Sequence, residues 1–74
     1  MPERVGDFEY DCVGHFREDL APVRKDGQEF HIHPDGSPAY EARFDFVEAF
    51  SEGLALVEKD GEWFHIRPDG TRAD

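Results

Sequence analysis

The sequence predicts an all-β fold made of two tandem units of about 34 residues, each containing three short antiparallel strands. Shifting the chain by 34 positions places Tyr10–Tyr40 on Phe44–Asp74 without a gap, and 17 of the 31 aligned pairs are identical. Asp-Gly pairs separate short apolar runs in both copies, which is a strong signal for β-hairpins. Within these runs, apolar and polar residues alternate with the period of a strand.

The repeat divides the chain into a lead-in at 1–9, repeat 1 at 10–40 and repeat 2 at 44–74, all within one small domain. Two units are fewer than the roughly three that stacked repeats need to bury a continuous core. We therefore expect a piece of a longer array, or several copies that complete one β-assembly together. Unpaired edge strands favour the second arrangement, a symmetric homo-oligomer that closes as a ring of blade-like units.

The strands are predicted at 9–14, 20–25, 28–33, 43–48, 54–59 and 62–67. The links that follow the first strand of each unit leave room for a short helical turn but not for a stable helix. Asp19 and Gly53 are expected in left-handed conformations there. Asp and Gly tolerate positive φ, and a preceding Pro fixes φ for a turn. The predicted structural turn residues are Asp26, Gly27, Asp35, Gly36, Asp60, Gly61, Asp69 and Gly70.

The apolar residues of the repeats predict a core with matched members in both units. Phe30 and Ile32 share one strand face, as do Phe64 and Ile66, and the histidines lie on the opposite face. The predicted core comprises Val13, Phe16, Leu20, Val23, Phe30 and Ile32, with the mates Val47, Phe50, Leu54, Val57, Phe64 and Ile66.

Repeat 2 carries an ordered series of residues, and repeat 1 carries part of it. The series is Phe50, then Ser51-Glu52-Gly53-Leu54-Ala55, then Asp60-Gly61, Trp63 and Asp69-Gly70. It resembles the WG repeat, a bacterial β-repeat named for a Trp-Gly pair. Repeat 1 matches at Phe16, Glu18, Leu20-Ala21, Asp26-Gly27 and Asp35-Gly36. Phe30 and Phe64 stand where the family has the glycine. The resemblance implies an all-β repeat module without an established enzymatic activity.

Composition and charge exclude several classes of function. The formal net charge is −10, from 18 acidic and 8 basic residues, which disfavours binding to a phosphate backbone. No apolar run is long enough to span a membrane, and the first residues lack the apolar core of a signal peptide. Because the chain has one cysteine, we expect a reducing, cytoplasmic location.

The duplicated phrase around His31 and His65 raises the question of a site. Duplication predicts framework residues in equivalent slots, whereas a site needs a particular set of side chains. The alternative is a metal site, because His31 and His33 project from one strand face and His15 is a further candidate ligand. The framework interpretation is favoured, and no cofactor is expected.

Signals of catalysis are missing from the sequence. Cys12 and His15 are three residues apart, a spacing at which an imidazole can activate a thiolate. Nothing in the sequence supplies an orienting group, so Cys12 is interpreted as a small apolar residue of a strand. We expect no catalytic residues and no enzyme activity.

The surplus of aromatic residues indicates a surface for other chains. Trp63, Phe64, Phe30 and Phe46 are the interaction candidates, because large aromatics are enriched in interfaces. The predicted function is a non-enzymatic β-repeat module for self-assembly or protein–protein interaction. A His-based metal-binding protein is the alternative, and a ligand-binding ring is a third hypothesis.

Overall fold

The computed structural model describes residues 2–74 and contains eight β-strands. Its elements confirm the prediction of an all-β fold with two three-stranded antiparallel units. The strands are β1 (Glu3–Val5), β2 (Phe8–Tyr10), β3 (Cys12–Val13), β4 (Ala21–Lys25), β5 (Gln28–Ile32), β6 (Phe46–Val47), β7 (Ala55–Lys59) and β8 (Glu62–Ile66). Among the residues described, no helix is long and apolar enough to cross a membrane.

Each repeat is a meander, β3-β4-β5 in repeat 1 and β6-β7-β8 in repeat 2. The two have the same register, shifted by 34 residues. Val23 pairs with Phe30 in repeat 1, for example, and Val57 pairs with Phe64 in repeat 2. Equivalent residues in the two repeats therefore occupy equivalent backbone positions.

The hairpins turn at the Asp-Gly pairs. Asp26 and Gly27 have φ values of 54° and 80°, and Asp60 and Gly61 have 52° and 82°. Two consecutive positive φ values define the two-residue turn that matches the twist of the flanking strands. The Asp-Gly sequence therefore fixes the strand register, because the turn leaves no freedom for a slip.

The links after β3 and β6 contain tight turns instead of the helical turn that the sequence allowed. Arg17 exchanges two backbone hydrogen bonds with Leu20, at 2.8 and 3.0 Å, and Ser51 does the same with Leu54. The two central residues of each turn are left-handed, as predicted for Asp19 (φ 67°) and Gly53 (φ 82°). We call residues 16–19 the docking turn of repeat 1, and residues 50–53 the docking turn of repeat 2.

The predicted strand at 9–14 is two strands. β2 pairs with β1, and β3 pairs with β4, so the chain changes partner at Asp11. Strand β1 lies in the lead-in, where the sequence analysis placed no strand. Its three residues lack the repeated pattern, and they become a strand only because Tyr10 and its neighbours offer an edge.

The Pro-Asp-Gly turns send the chain back along the strand that precedes them. The Asp35 carboxylate accepts hydrogen bonds from the Ser37 hydroxyl (2.7 Å) and N–H (2.9 Å), which hold the pKa of Asp35 below its usual range. The Ala39 N–H then donates to the His31 carbonyl oxygen at 2.9 Å. The connection between the repeats is thereby held against β5 and leads directly into β6.

The observed core differs from the predicted one at four positions. Phe16 and Leu54 are about 40% exposed (41% and 39%), and Val13 and Phe64 are only half-buried. Their mates Phe50, Leu20 and Val47 are buried, because each lies where the two repeats meet or under a neighbouring strand. The core also contains residues that the prediction omitted: Tyr10, Ala21, His31, Tyr40, Phe44 and Ala55.

Candidate interaction surface

The two repeats meet along the outer edge of β5, and we call this contact the repeat junction. Glu29 and Phe44 exchange backbone hydrogen bonds of 2.8 and 3.0 Å. One carboxylate oxygen of Glu29 accepts from the Val47 N–H at 2.9 Å, and the other accepts from Arg24 at 3.0 Å. The Glu29 side chain therefore links repeat 1 to the first strand of repeat 2.

His31 occupies the centre of the repeat junction and is fully buried. Its Nε2 lies 2.8 Å from the Glu48 carbonyl oxygen, and its Nδ1 lies 2.6 Å from the Tyr40 hydroxyl. A carbonyl only accepts, so Nε2 carries the proton and Tyr40 donates to Nδ1. Burial lowers the pKa of His31, which keeps this neutral form. The Phe50 ring packs edge-on against the imidazole, with 4.5 Å between centroids.

The third component of the junction connects the two docking turns. The Glu18 carboxylate accepts from the Glu52 N–H at 2.5 Å and from the Gly53 N–H at 2.9 Å. Consecutive left-handed residues point successive N–H groups to one side, which forms a small anion-binding nest. A carboxylate from one turn therefore caps the backbone of the next turn.

The receiving half of the junction recurs on repeat 2, where nothing among residues 2–74 covers it. A groove there is lined by Glu48, Ser51, Glu52, Leu54, Leu56 and His65. Leu54 is 39% exposed, whereas its mate Leu20 is 5% exposed. We call Glu52, Leu54, Leu56 and His65 the open face. It is the surface that, in repeat 1, receives Phe50.

Among residues 2–74, His65 makes a side-chain contact through Nδ1 only, whereas its mate His31 makes contacts through both ring nitrogens. Asp74 takes the place of Tyr40, and its carboxylate accepts from the His65 N–H (2.8 Å) and faces Nδ1 at 2.9 Å. These hydrogen bonds lower the pKa of Asp74. The His65 side chain remains 45% exposed, and its Nε2 has no protein partner among the described residues.

Comparison with known families agrees with this geometry. The family model described as a WG containing repeat matches residues 7–28 and 32–63, which is more than half of the chain. The chain belongs to the WG-repeat family. No curated protein and no solved structure is significantly similar to it.

In this WG-repeat chain, two of the aromatic interaction candidates, Phe30 and Phe64, each lie beneath an arginine side chain. The Arg43 guanidinium lies over the Phe30 ring at 3.8 Å, and the Arg72 guanidinium lies over Phe64 at 4.5 Å. Phe30 is 3% exposed, so this interaction candidate belongs to the core. Phe64 is half-buried. Each ring is covered by an arginine that follows a Pro-Asp-Gly turn. The sequence analysis did not use these arginines as a signal of burial.

The other two aromatic candidates form an exposed pair on the second sheet of the WG-repeat chain. The ring centroids of Phe46 and Trp63 are 5.6 Å apart, and the side chains are 38% and 51% exposed. Cys12 and Glu29 hold these positions in repeat 1. Trp63 therefore replaces the glutamate that links the repeats, and the indole ring has no oxygen that can accept a backbone N–H.

The metal-ligand candidates do not form a site among residues 2–74. His31 has both ring nitrogens occupied by protein groups, while His15 and His33 are exposed. No group of three or more His, Cys, Asp or Glu side chains in the described part of the chain is close enough to hold a metal ion. Cys12 lies in β3 and is exposed.

Proposed function

We propose that this WG-repeat chain is a non-enzymatic interaction module that self-assembles by stacking its repeats. The observation that carries the proposal is the open face, which repeats the receiving half of the junction that the two repeats already form within one chain. The occupant we propose is the docking turn of repeat 1 in a second copy. Neighbouring units in repeat proteins couple through such nearest-neighbour contacts.

The docking turn of repeat 1 has the groups that the open face requires. Phe16 is 41% exposed and is the equivalent of Phe50. Glu18 and Asp19 are left-handed, like Glu52 and Gly53, and their N–H groups have no acceptor among residues 2–74. The Glu52 carboxylate of one copy would accept from both N–H groups of the next, as Glu18 does within the chain.

The proposed contact is heterologous, because the open face of one copy meets the docking turn of another. Such contacts build rings when the rotation closes and filaments when it does not. Phe16 and Leu54 are 41% and 39% exposed, so covering the remaining surface of each contributes roughly 1 kcal/mol. Association itself costs at least ~4 kcal/mol. We therefore expect assembly that depends on concentration instead of a permanent oligomer.

Charge modulates the proposed assembly. Copies with a net charge of −10 repel one another, so salt should promote assembly by screening.

The test is the absolute mass in solution, measured by size-exclusion chromatography with light scattering over a range of concentrations. The mass should rise towards multiples of 8.5 kDa as concentration increases. Leu54→Ser and Phe16→Ser should each abolish the rise, since they remove opposite halves of one contact. Phe46→Ser is the matched control, because Phe46 is equally exposed but lies outside both halves. A monomeric mass at every concentration, or loss of assembly only in Phe46→Ser, would refute the proposal.

A further inference from the structure

Strand β1 occupies the position that β5 holds in the repeat junction. Glu3 pairs with Tyr10 in β2, and Glu29 pairs with Phe44 at the junction. Tyr10 and Phe44 are equivalent residues of the two repeats. β1 therefore lies against the residues that lead into the first strand of repeat 1 in the same way that β5 lies against the residues that lead into the first strand of repeat 2.

The side-chain contacts of Glu3 and Glu29 agree with this equivalence. The Glu3 carboxylate accepts from the Val13 N–H at 3.2 Å, and the Glu29 carboxylate accepts from the Val47 N–H at 2.9 Å. Val13 and Val47 are again equivalent residues. Glu3 and Glu29 lie in unrelated stretches of sequence. Each nevertheless supplies a carboxylate oxygen to the equivalent backbone N–H group of a repeat.

This equivalence has a steric consequence for the assembly. When a second copy is placed on the open face as repeat 2 is placed on repeat 1, its β1 falls on β8 of the first copy. β1 of the second copy and β8 of the first copy both require the edge formed by Tyr10 and Val13 of the second copy. That edge accepts only one strand.

We propose that β1 is an exchangeable cover over a second interaction surface, the strand edge from Tyr10 to Val13, and that its partner is β8 of another copy. The inference rests on the proposed function, because it concerns the same stacked assembly. β1 leaves the edge when β8 of a neighbouring copy takes its place. The cover thus limits how readily copies stack.

The structure of β1 suits a strand that can be released. It has three residues, of which Glu3 and Arg4 are exposed and Val5 is half-buried. The ion pair between Arg4 and Glu9 is also exposed, and such pairs contribute little to stability. An attached strand nevertheless competes well with a free partner, because a short linker gives it an effective concentration in the millimolar range.

The turn that follows β1 packs closely against the Pro-Asp-Gly turn of repeat 1. Gly6 has a φ of 60°, and a Cβ at this residue would overlap the Asp35 carbonyl oxygen. A Cβ at Gly36 would likewise overlap the Val5 carbonyl oxygen. A methyl group at Gly6 therefore loosens the cover without changing either half of the stacking contact.

The test compares Gly6→Ala with Gly27→Ala in the full chain. Gly27 also has a positive φ, of 80°, but a Cβ there meets no other atom within 4 Å, so this variant controls for backbone strain alone. Gly6→Ala should lower the protein concentration at which half of the chains are assembled about tenfold or more. This is the factor expected when one ordinary contact that holds β1 in place, and so opposes assembly, is lost. Gly27→Ala should leave that concentration unchanged. Glu3→Ala, which removes an exposed side chain, serves as a second variant if Gly6→Ala fails to fold.

Hydrogen–deuterium exchange supplies an independent readout. The amides of residues 3–8 should exchange faster in the assembled protein than in the monomer, because β1 has been released. Equal half-assembly concentrations for Gly6→Ala and Gly27→Ala, with residues 3–8 equally protected in both states, would overturn the proposed release of β1 and leave the stacking proposal standing. Failure of every variant to assemble would overturn both proposals.

Discussion

The equivalent residues Phe16 and Phe50 offer the sharpest test of the repeat junction. They are the same amino acid in the same slot of two units, and only the presence of a preceding repeat distinguishes them. Phe50 is 1% exposed and packs against His31, whereas Phe16 is 41% exposed. Replacing each by alanine in turn should therefore give very different losses of stability.

The expected magnitudes follow from burial. A buried phenylalanine replaced by alanine costs about 3–5 kcal/mol, from lost transfer free energy and the cavity that remains. The edge-on contact between Phe50 and the His31 ring is an aromatic pair of a kind worth roughly 0.5–1.5 kcal/mol of that loss. Phe16→Ala should cost less than ~1 kcal/mol in the monomer, as surface substitutions usually do.

Urea unfolding followed by circular dichroism measures both variants, at a protein concentration below that of assembly. A 74-residue chain has a total stability of roughly 4–11 kcal/mol, so Phe50→Ala could unfold it completely. Phe50→Leu then gives the answer, since it keeps most of the apolar volume but removes the ring contact. Equal midpoints for the Phe16 and Phe50 variants would refute the junction as described.

Two further predictions concern the polar groups of the junction. Burial lowers the pKa of His31, so the unfolded state binds its proton more readily; wild-type stability should be constant above about pH 6.5 and fall below it. His31→Gln should lose that dependence and His65→Gln should keep it, as measured by urea midpoints between pH 5 and 8. Glu18→Gln should cost about 0.5–1 kcal/mol, because it weakens two charge-assisted hydrogen bonds to exposed backbone. Glu52→Gln should leave monomer stability unchanged, and equal losses from the two substitutions would contradict the assigned role of Glu18.

The local structure was predictable because it depends on residues close together in the sequence. The Asp26-Gly27 and Asp60-Gly61 turns set the hairpins, and the alternation around them sets the strands. The same reasoning misjudged Leu54, because its identical mate Leu20 is buried and a periodic pattern assigns both the same environment. Burial here depends on which repeat lies next to a residue, and that information is absent from the local sequence.

The position of β1 lay outside the repeat pattern for a related reason. A shift of 34 residues relates Tyr10 to Phe44 but assigns no counterpart to Glu3. The equivalence of Glu3 and Glu29 is spatial, and it depends on a shorter connection that brings a different stretch of chain to the same edge. Sequence comparison detects residues that are related by duplication. Glu3 and Glu29 are equivalent instead because each accepts a hydrogen bond from the same backbone position of a repeat.

In the proposed assembly, the residue at the position of Glu29 distinguishes contacts within a chain from contacts between chains. The backbone N–H of Val13 or Val47 needs an acceptor wherever the first strand of a repeat meets its neighbour, and a glutamate provides it both times within the chain. Trp63 holds the third such position and supplies apolar surface instead. A neighbour stacked on β8 therefore gains burial but loses one hydrogen bond relative to the internal junction. The missing hydrogen bond makes the proposed contact between chains weaker than the junction within a chain. A reversible assembly requires that difference, because copies must separate without unfolding.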